Sequence, residues 1–197
     1  MKLQDRLPDR VVVDGRRYRL DLDFRNVLRM LEIIARSDLI PEARDYLALK
    51  CVMRRPPRHP TPVLAAVRML LFPDQAQAPD RDKLTDFEQD AGYILAAFRQ
   101  CYQIDLHKDR LHWLDFTALL HALPEGSTYT AILGIRSRPM PAPTKWNQAE
   151  REWLAKAKEI YRLGLTEEEQ ADKYARSVRG IFAGLMAWAT EGSDKDG

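Results

Sequence analysis

Cysteine, glycine and long apolar runs are all scarce in this chain, and each shortage narrows what it can be. Two cysteines, Cys51 and Cys101, among 197 residues cannot build a disulfide framework, and no Cys-x-x-Cys pair provides a thiolate metal site. Both sit in apolar helical patterns, as reduced and buried thiols of a cytoplasmic protein would, although the spacing alone leaves their redox state open. The nine glycines form neither Gly-x-Gly-x-x-Gly nor the Walker pattern, which removes the usual phosphate cradles. No stretch approaches the roughly 18 apolar residues of a membrane span, and no apolar run of signal-peptide length follows Met1-Lys2. The sequence therefore predicts a soluble, cytoplasmic protein with no membrane partner.

Strong net charge is missing too. The balance is +2 overall, far from the basic excess of a nucleic-acid binder. The distribution is uneven: residues 1–60 hold 14 Lys/Arg against nine Asp/Glu, whereas residues 74–115 hold five against nine. That asymmetry suits head-to-tail association or steering of a charged partner, and equally a solvated surface. The Pro-punctuated loop Arg54, Arg55, Arg58 and His59 could touch nucleic acid or an acidic partner, but no aromatics interleave it.

Patterns for chemistry are likewise missing. Of the four histidines, His107 and His112 lie five apart, not the three or four that put two ligands on one helical face. There is no His-Glu-x-x-His, no calcium loop and no Gly-x-Ser-x-Gly elbow. The sequence predicts no catalytic residues, no metal, no cofactor and no enzymatic activity.

What is present is helical patterning. Hydrophobic residues make up 45% and charged residues 30%, enough for a core and for solvated helix faces. The expected fold is all-α, a multi-helix bundle of about seven to eight helices with one short N-terminal β-hairpin. In Val11–Leu20, Asp14-Gly15 accepts the positive φ angles of a tight turn, and an isolated hairpin must lie on helices or pair with another chain. Asp21 or Asp23 can cap a helix striped by Phe24, Val27, Leu28, Leu31 and Ile34. A second helix starts near Pro41 with Tyr46, Leu47, Leu49, Cys51 and Val52 as its apolar set, and a third spans about Pro62 to Phe72.

Residues 73–83 lack apolar period and read as a connection between residues 1–72 and a helical bundle over 84–190, either a second domain or a continuation of the first. Thr85-Asp86-Phe87-Glu88 has the form of a capping box for a helix running to Tyr102. Leu111–Leu123 is apolar nearly all round, as a central helix would be. In it Trp113 reads as core and His112 as the source of a buried hydrogen bond. Ser127 or Thr128 can cap a successor through Arg136. Ala149, Trp153, Ala157 and Ile160 stripe another helix up to Gly164. Thr166–Glu169 repeats the capping box before a last helix carrying Tyr174, Val178, Phe182 and Leu185, and residues 191–197 should fray.

The order of these motifs carries a resemblance. Asp86-Phe87-Glu88-Gln89-Asp90, then Phe98, Tyr102 and Ile104-Asp105-Leu106, then Leu111-His112-Trp113 and Phe116, then Ile135-Arg136, resembles a family of small helical proteins encoded in the tail modules of long-tailed bacteriophages. The start, from Val13-Asp14-Gly15 to Asp23-Phe24-Arg25, is similar to that family's hairpin and first helix. The resemblance implies a phage or prophage tail-assembly chaperone in the host cytoplasm, binding the tape-measure protein and helping recruit tail-tube subunits, with a homo-oligomer as a further expectation. Phe87, Asp90, Phe98, Tyr102, Asp105, Leu106, His112, Trp113, Phe116 and Arg136 would be its motif residues, mostly core, with the partner surface unassigned. The alternative from another class is a small helical nucleic-acid-binding or regulatory protein using the arginine-rich N-terminal third.

Overall fold

Asp14 and Gly15 take φ of +49° and +73°, the pair of positive angles that a two-residue hairpin turn requires. They join β1 (Arg10–Val13) to β2 (Arg16–Arg19) in antiparallel register, Arg10 opposite Arg19 and Val13 opposite Arg16. Strand alternation then buries Val11 and exposes Val12. The computed structural model describes residues 4–73 and 84–164. Among these it has seven α-helices and this one hairpin, a predominantly helical protein as the patterning predicts.

The hairpin rests on its own chain. β1 packs on α3 (Thr61–Leu71), which packs on α2 (Pro41–Val52), which packs on α1 (Phe24–Ala35). Asp23 caps α1, its carboxylate accepting from the Arg25 amide at 3.1 Å. The buried stripe of α1 includes Met30 beside Phe24 and Val27, a residue the expected spacing left out. In α2 the expected apolar set is corrected more strongly. Asp45, Ala48, Leu49 and Val52 face inward, while Tyr46 and Leu47 are each 40% exposed. At 100° per residue only one of the two overlapping stripes can face the core. Buried Asp45 is satisfied by the Thr61 hydroxyl, which donates to it at 2.7 Å.

Four helices follow: α4 (Ala91–Tyr102), α5 (Trp113–His121), α6 (Thr128–Ser137) and α7 (Gln148–Ile160). Regular helix begins at Ala91, later than Thr85, because residues 87–90 form a turn. There the Asp86 carboxylate accepts from the Glu88 and Gln89 amides at 3.0 and 3.1 Å, and Asp90 accepts from the Asp86 amide at 3.0 Å. This is a reciprocal arrangement one residue on from the expected box. α5 is shorter than Leu111–Leu123, because Leu111 and Trp113 pair with Leu22 and Phe24 through backbone bonds of 2.8 and 3.0 Å. Ser127 caps α6 by accepting from the Thr130 amide at 3.2 Å. α7 ends at Ile160, before the stop expected at Gly164, whose φ is +79°.

The described residues fall into two compact units, residues 4–73 with 92–131, and residues 84–91 with 132–164. The first holds the hairpin, α1 to α3, α5 and nearly all of α4; the second holds α7 and the last turns of α6. Residues 74–83 of the expected connection, the capping box at Thr166, the last helix and the frayed tail lie outside the described residues.

Candidate functional site

In the first unit the aromatic motif residues gather into one cluster. Phe116 stacks on Phe24 at 4.7 Å and on Phe98 at 5.3 Å, Trp113 lies tilted against Phe116 at 5.8 Å, and Tyr102 meets Phe98 edge-on at 5.6 Å. The Tyr102 hydroxyl donates to the Leu119 carbonyl at 2.9 Å. Leu106, Phe98, Trp113 and Phe116 are all buried. Offset rings in this geometry add to their area burial, and none presents a face to a ligand.

The polar motif residues of this unit tie segments together. His112 accepts from the Leu114 amide through Nδ1 at 3.2 Å and lies 3.0 Å from the Pro8 carbonyl through Nε2. A carbonyl cannot donate, so the proton sits on Nε2, and the neutral ring both caps α5 and anchors the chain start. Asp105 accepts from the His107 amide at 3.1 Å and pairs with Arg99 at 2.9 Å. That amide bond, helped by Arg99 and Lys108, holds its carboxyl below the usual carboxylate range.

Sequence reading missed the neighbouring network. Arg25 donates to Asp23 at 3.0 Å and to the His107 and Asp109 carbonyls, while Arg110 reaches Asp23 at 3.2 Å and Asp21 at 2.9 Å. Burial of Asp23 by itself would raise its pKa, yet the bonds from Arg25, its amide and Arg110 outweigh that and hold it below the ordinary value. Asp23 and Arg110 are 87 positions apart, and a single sequence carries no sign that they meet.

In the second unit Asp90 and Arg136 form a bidentate pair with both bonds at 2.7 Å and side chains 1% and 7% exposed. Arg136 also donates to the Tyr161 carbonyl at 2.6 Å and the Leu84 carbonyl at 2.8 Å, and Lys158 donates to the Arg136 carbonyl at 2.7 Å. One guanidinium thus holds a turn, a helix end and α7 together. The fork geometry requires Arg here, since Lys could not serve both carboxylate oxygens and two carbonyls. Phe87, half-buried, lies in the turn beside Asp90.

The family described as Bacteriophage Gp15 protein matches residues 3–163. The chain belongs to this bacteriophage family. No curated protein and no solved structure matches it. The match spans all seven described helices and the hairpin.

The surface left for a partner is therefore elsewhere. On α7 the buried residues are Leu154 and Ala157, and the expected stripe is corrected: Trp153 and Ile160 are each 55% exposed. Seven residues apart, these two share a face about 10 Å long. Trp146, just before the Asn147 cap, is 94% exposed. Cys51 and Cys101 are free and half-buried, less sheltered than expected. Among the described residues no three His, Cys, Asp or Glu side chains gather to hold a metal, and no helix is long and apolar enough to cross a membrane.

Proposed function

We propose that this bacteriophage protein is a tail-assembly chaperone, binding the tape-measure protein and helping tail-tube assembly through protein contacts, without catalysis and within the host cytoplasm. The observation that carries the reading is the set of exposed apolar side chains on α7, Trp153 and Ile160, and just before it, Trp146. Two tryptophans and an isoleucine left to solvent are unusual on a small protein that has a core available, and aromatic side chains of this kind anchor protein interfaces. Membership of a bacteriophage family supplies the setting. The motif residues contribute indirectly, by fixing the framework from which that face projects.

Co-expression with the tape-measure protein tests the proposal. The two should co-purify, the tape-measure protein should gain solubility, and Trp146→Ala with Trp153→Ala should abolish both effects while leaving the chain folded. Absence of association between the unaltered proteins would remove the reading.

A further inference from the structure

A second recognition feature lies in the first unit, away from the aromatic cluster. Where β2 runs into residues 20 and 21 and α2 ends, the surface sinks into a depression of about 590 Å³. Its rim carries Arg19, Lys50, Arg54 and Arg110, with Asp21 the one carboxylate among its lining residues. Asp21 is already engaged by Arg110 at 2.9 Å. Among the described residues Arg19, Lys50 and Arg54 have no carboxylate within ion-pair range, although Asp9, paired to Arg10, feels the field of Arg19. Beneath it Leu20, Val52 and Met53 are almost wholly buried.

The C-terminal end of α2 accounts for part of this charge, since the negative end of a helix dipole favours Lys50 and Arg54 there. Arg110, from the loop before α5, is held by Asp21 and Asp23, which leaves Arg19, from the hairpin, unaccounted for. Arg19, from the hairpin, thus joins Lys50 and Arg54, at the end of α2, on one hollow, where each raises the cost of the others unless an anion arrives.

We propose that this depression binds an acidic peptide segment of a partner protein, with carboxylates on the cationic rim. A nucleic-acid backbone fits less well. Phosphates need a continuous cationic track, whereas a bounded hollow of this size takes a few side chains. The inference stands on the depression alone and is independent of the tape-measure reading.

The test is fluorescence anisotropy of a labelled peptide alternating Glu and Leu, titrated with the full chain. Binding should weaken with salt, and Lys50→Glu with Arg54→Glu should weaken it about tenfold. Lys145→Glu, in the other unit, should leave it unchanged. In a Cys101→Ser background the peptide should also slow alkylation of Cys51, which lines the same hollow. Should the charge reversal unfold the chain, Lys50→Gln with Arg54→Gln reads the same effect at smaller size. Equal binding of a Gln-Leu peptide, or indifference to these substitutions, would overturn the proposal. So would duplex DNA binding that depends on Lys50 and Arg54 in the absence of peptide binding.

Discussion

The first unit buries Phe24, Phe98, Trp113 and Phe116 against one another, whereas the second, whose buried apolar side chains among the described residues are Ile132, Leu154 and Ala157, is organised around the Asp90–Arg136 pair. The difference bears on how each tolerates change. Stacked rings are held by many weak contacts, and a slightly smaller apolar side chain keeps most of them. A buried bidentate pair has no such gradation, because loss of one partner strands the other's charge. The two units thus carry two kinds of constraint, one of volume and one of geometry.

The largest effect should come from emptying the ring stack. Phe116→Ala removes the ring that touches Phe24, Phe98 and Trp113, and should cost about 3–5 kcal/mol in urea unfolding. Phe116→Leu should recover much of that, as a volume constraint predicts. Arg136→Ala should cost about 3 kcal/mol, seen as faster hydrogen exchange at 154–160 than in α1. Arg136→Lys should rescue little of it. If Lys restores stability, charge alone holds the second unit and the geometric half of the comparison fails.

The same contrast explains what the sequence made legible. Asp14-Gly15 announces the hairpin, because few other pairs accept two positive φ angles, and apolar period places α1 and α3 closely. Period fails where two stripes overlap. In α7 the set 149, 153, 157 and 160 is as regular as the set containing Leu154 and Ala157, and only packing decides between them. The start of α5 was hidden for another reason: backbone bonds to Leu22 and Phe24 flank His112 and hold it in extended backbone, a contact across nearly ninety positions. Asp90 and Arg136 were both visible in the motif order, yet nothing in one sequence says that they touch.

Smaller effects probe the ties at the edge of the aromatic cluster. His112→Ala should cost about 1–2 kcal/mol, for a lost helix cap and the lost bond to Pro8. His112→Asn should return the cap portion only, so thermal denaturation of the two variants separates the contributions. Acid provides the matching electrostatic probe. The folded pKa of Asp23 is depressed, so its stabilising contribution is full above the unfolded value of about 3.9 and is lost as pH falls through that value towards the folded one. Denaturation followed from pH 6 to pH 2.5 should show this loss, and Asp23→Asn should flatten that part of the profile.

The smallest effect on stability is expected at the face proposed for binding. Trp153→Ala should change unfolding by no more than about 0.5 kcal/mol, since the ring is mostly solvated and Leu154 holds the inner side of α7. Leu154→Ala, one residue on, should cost about 2–5 kcal/mol. Adjacent positions on one helix would then separate fold from recognition, with Leu154 governing whether α7 is there and Trp153 what it meets. A large stability loss at Trp153 would instead mark that ring as part of the second unit's packing, and would take the main support from the proposed interaction face.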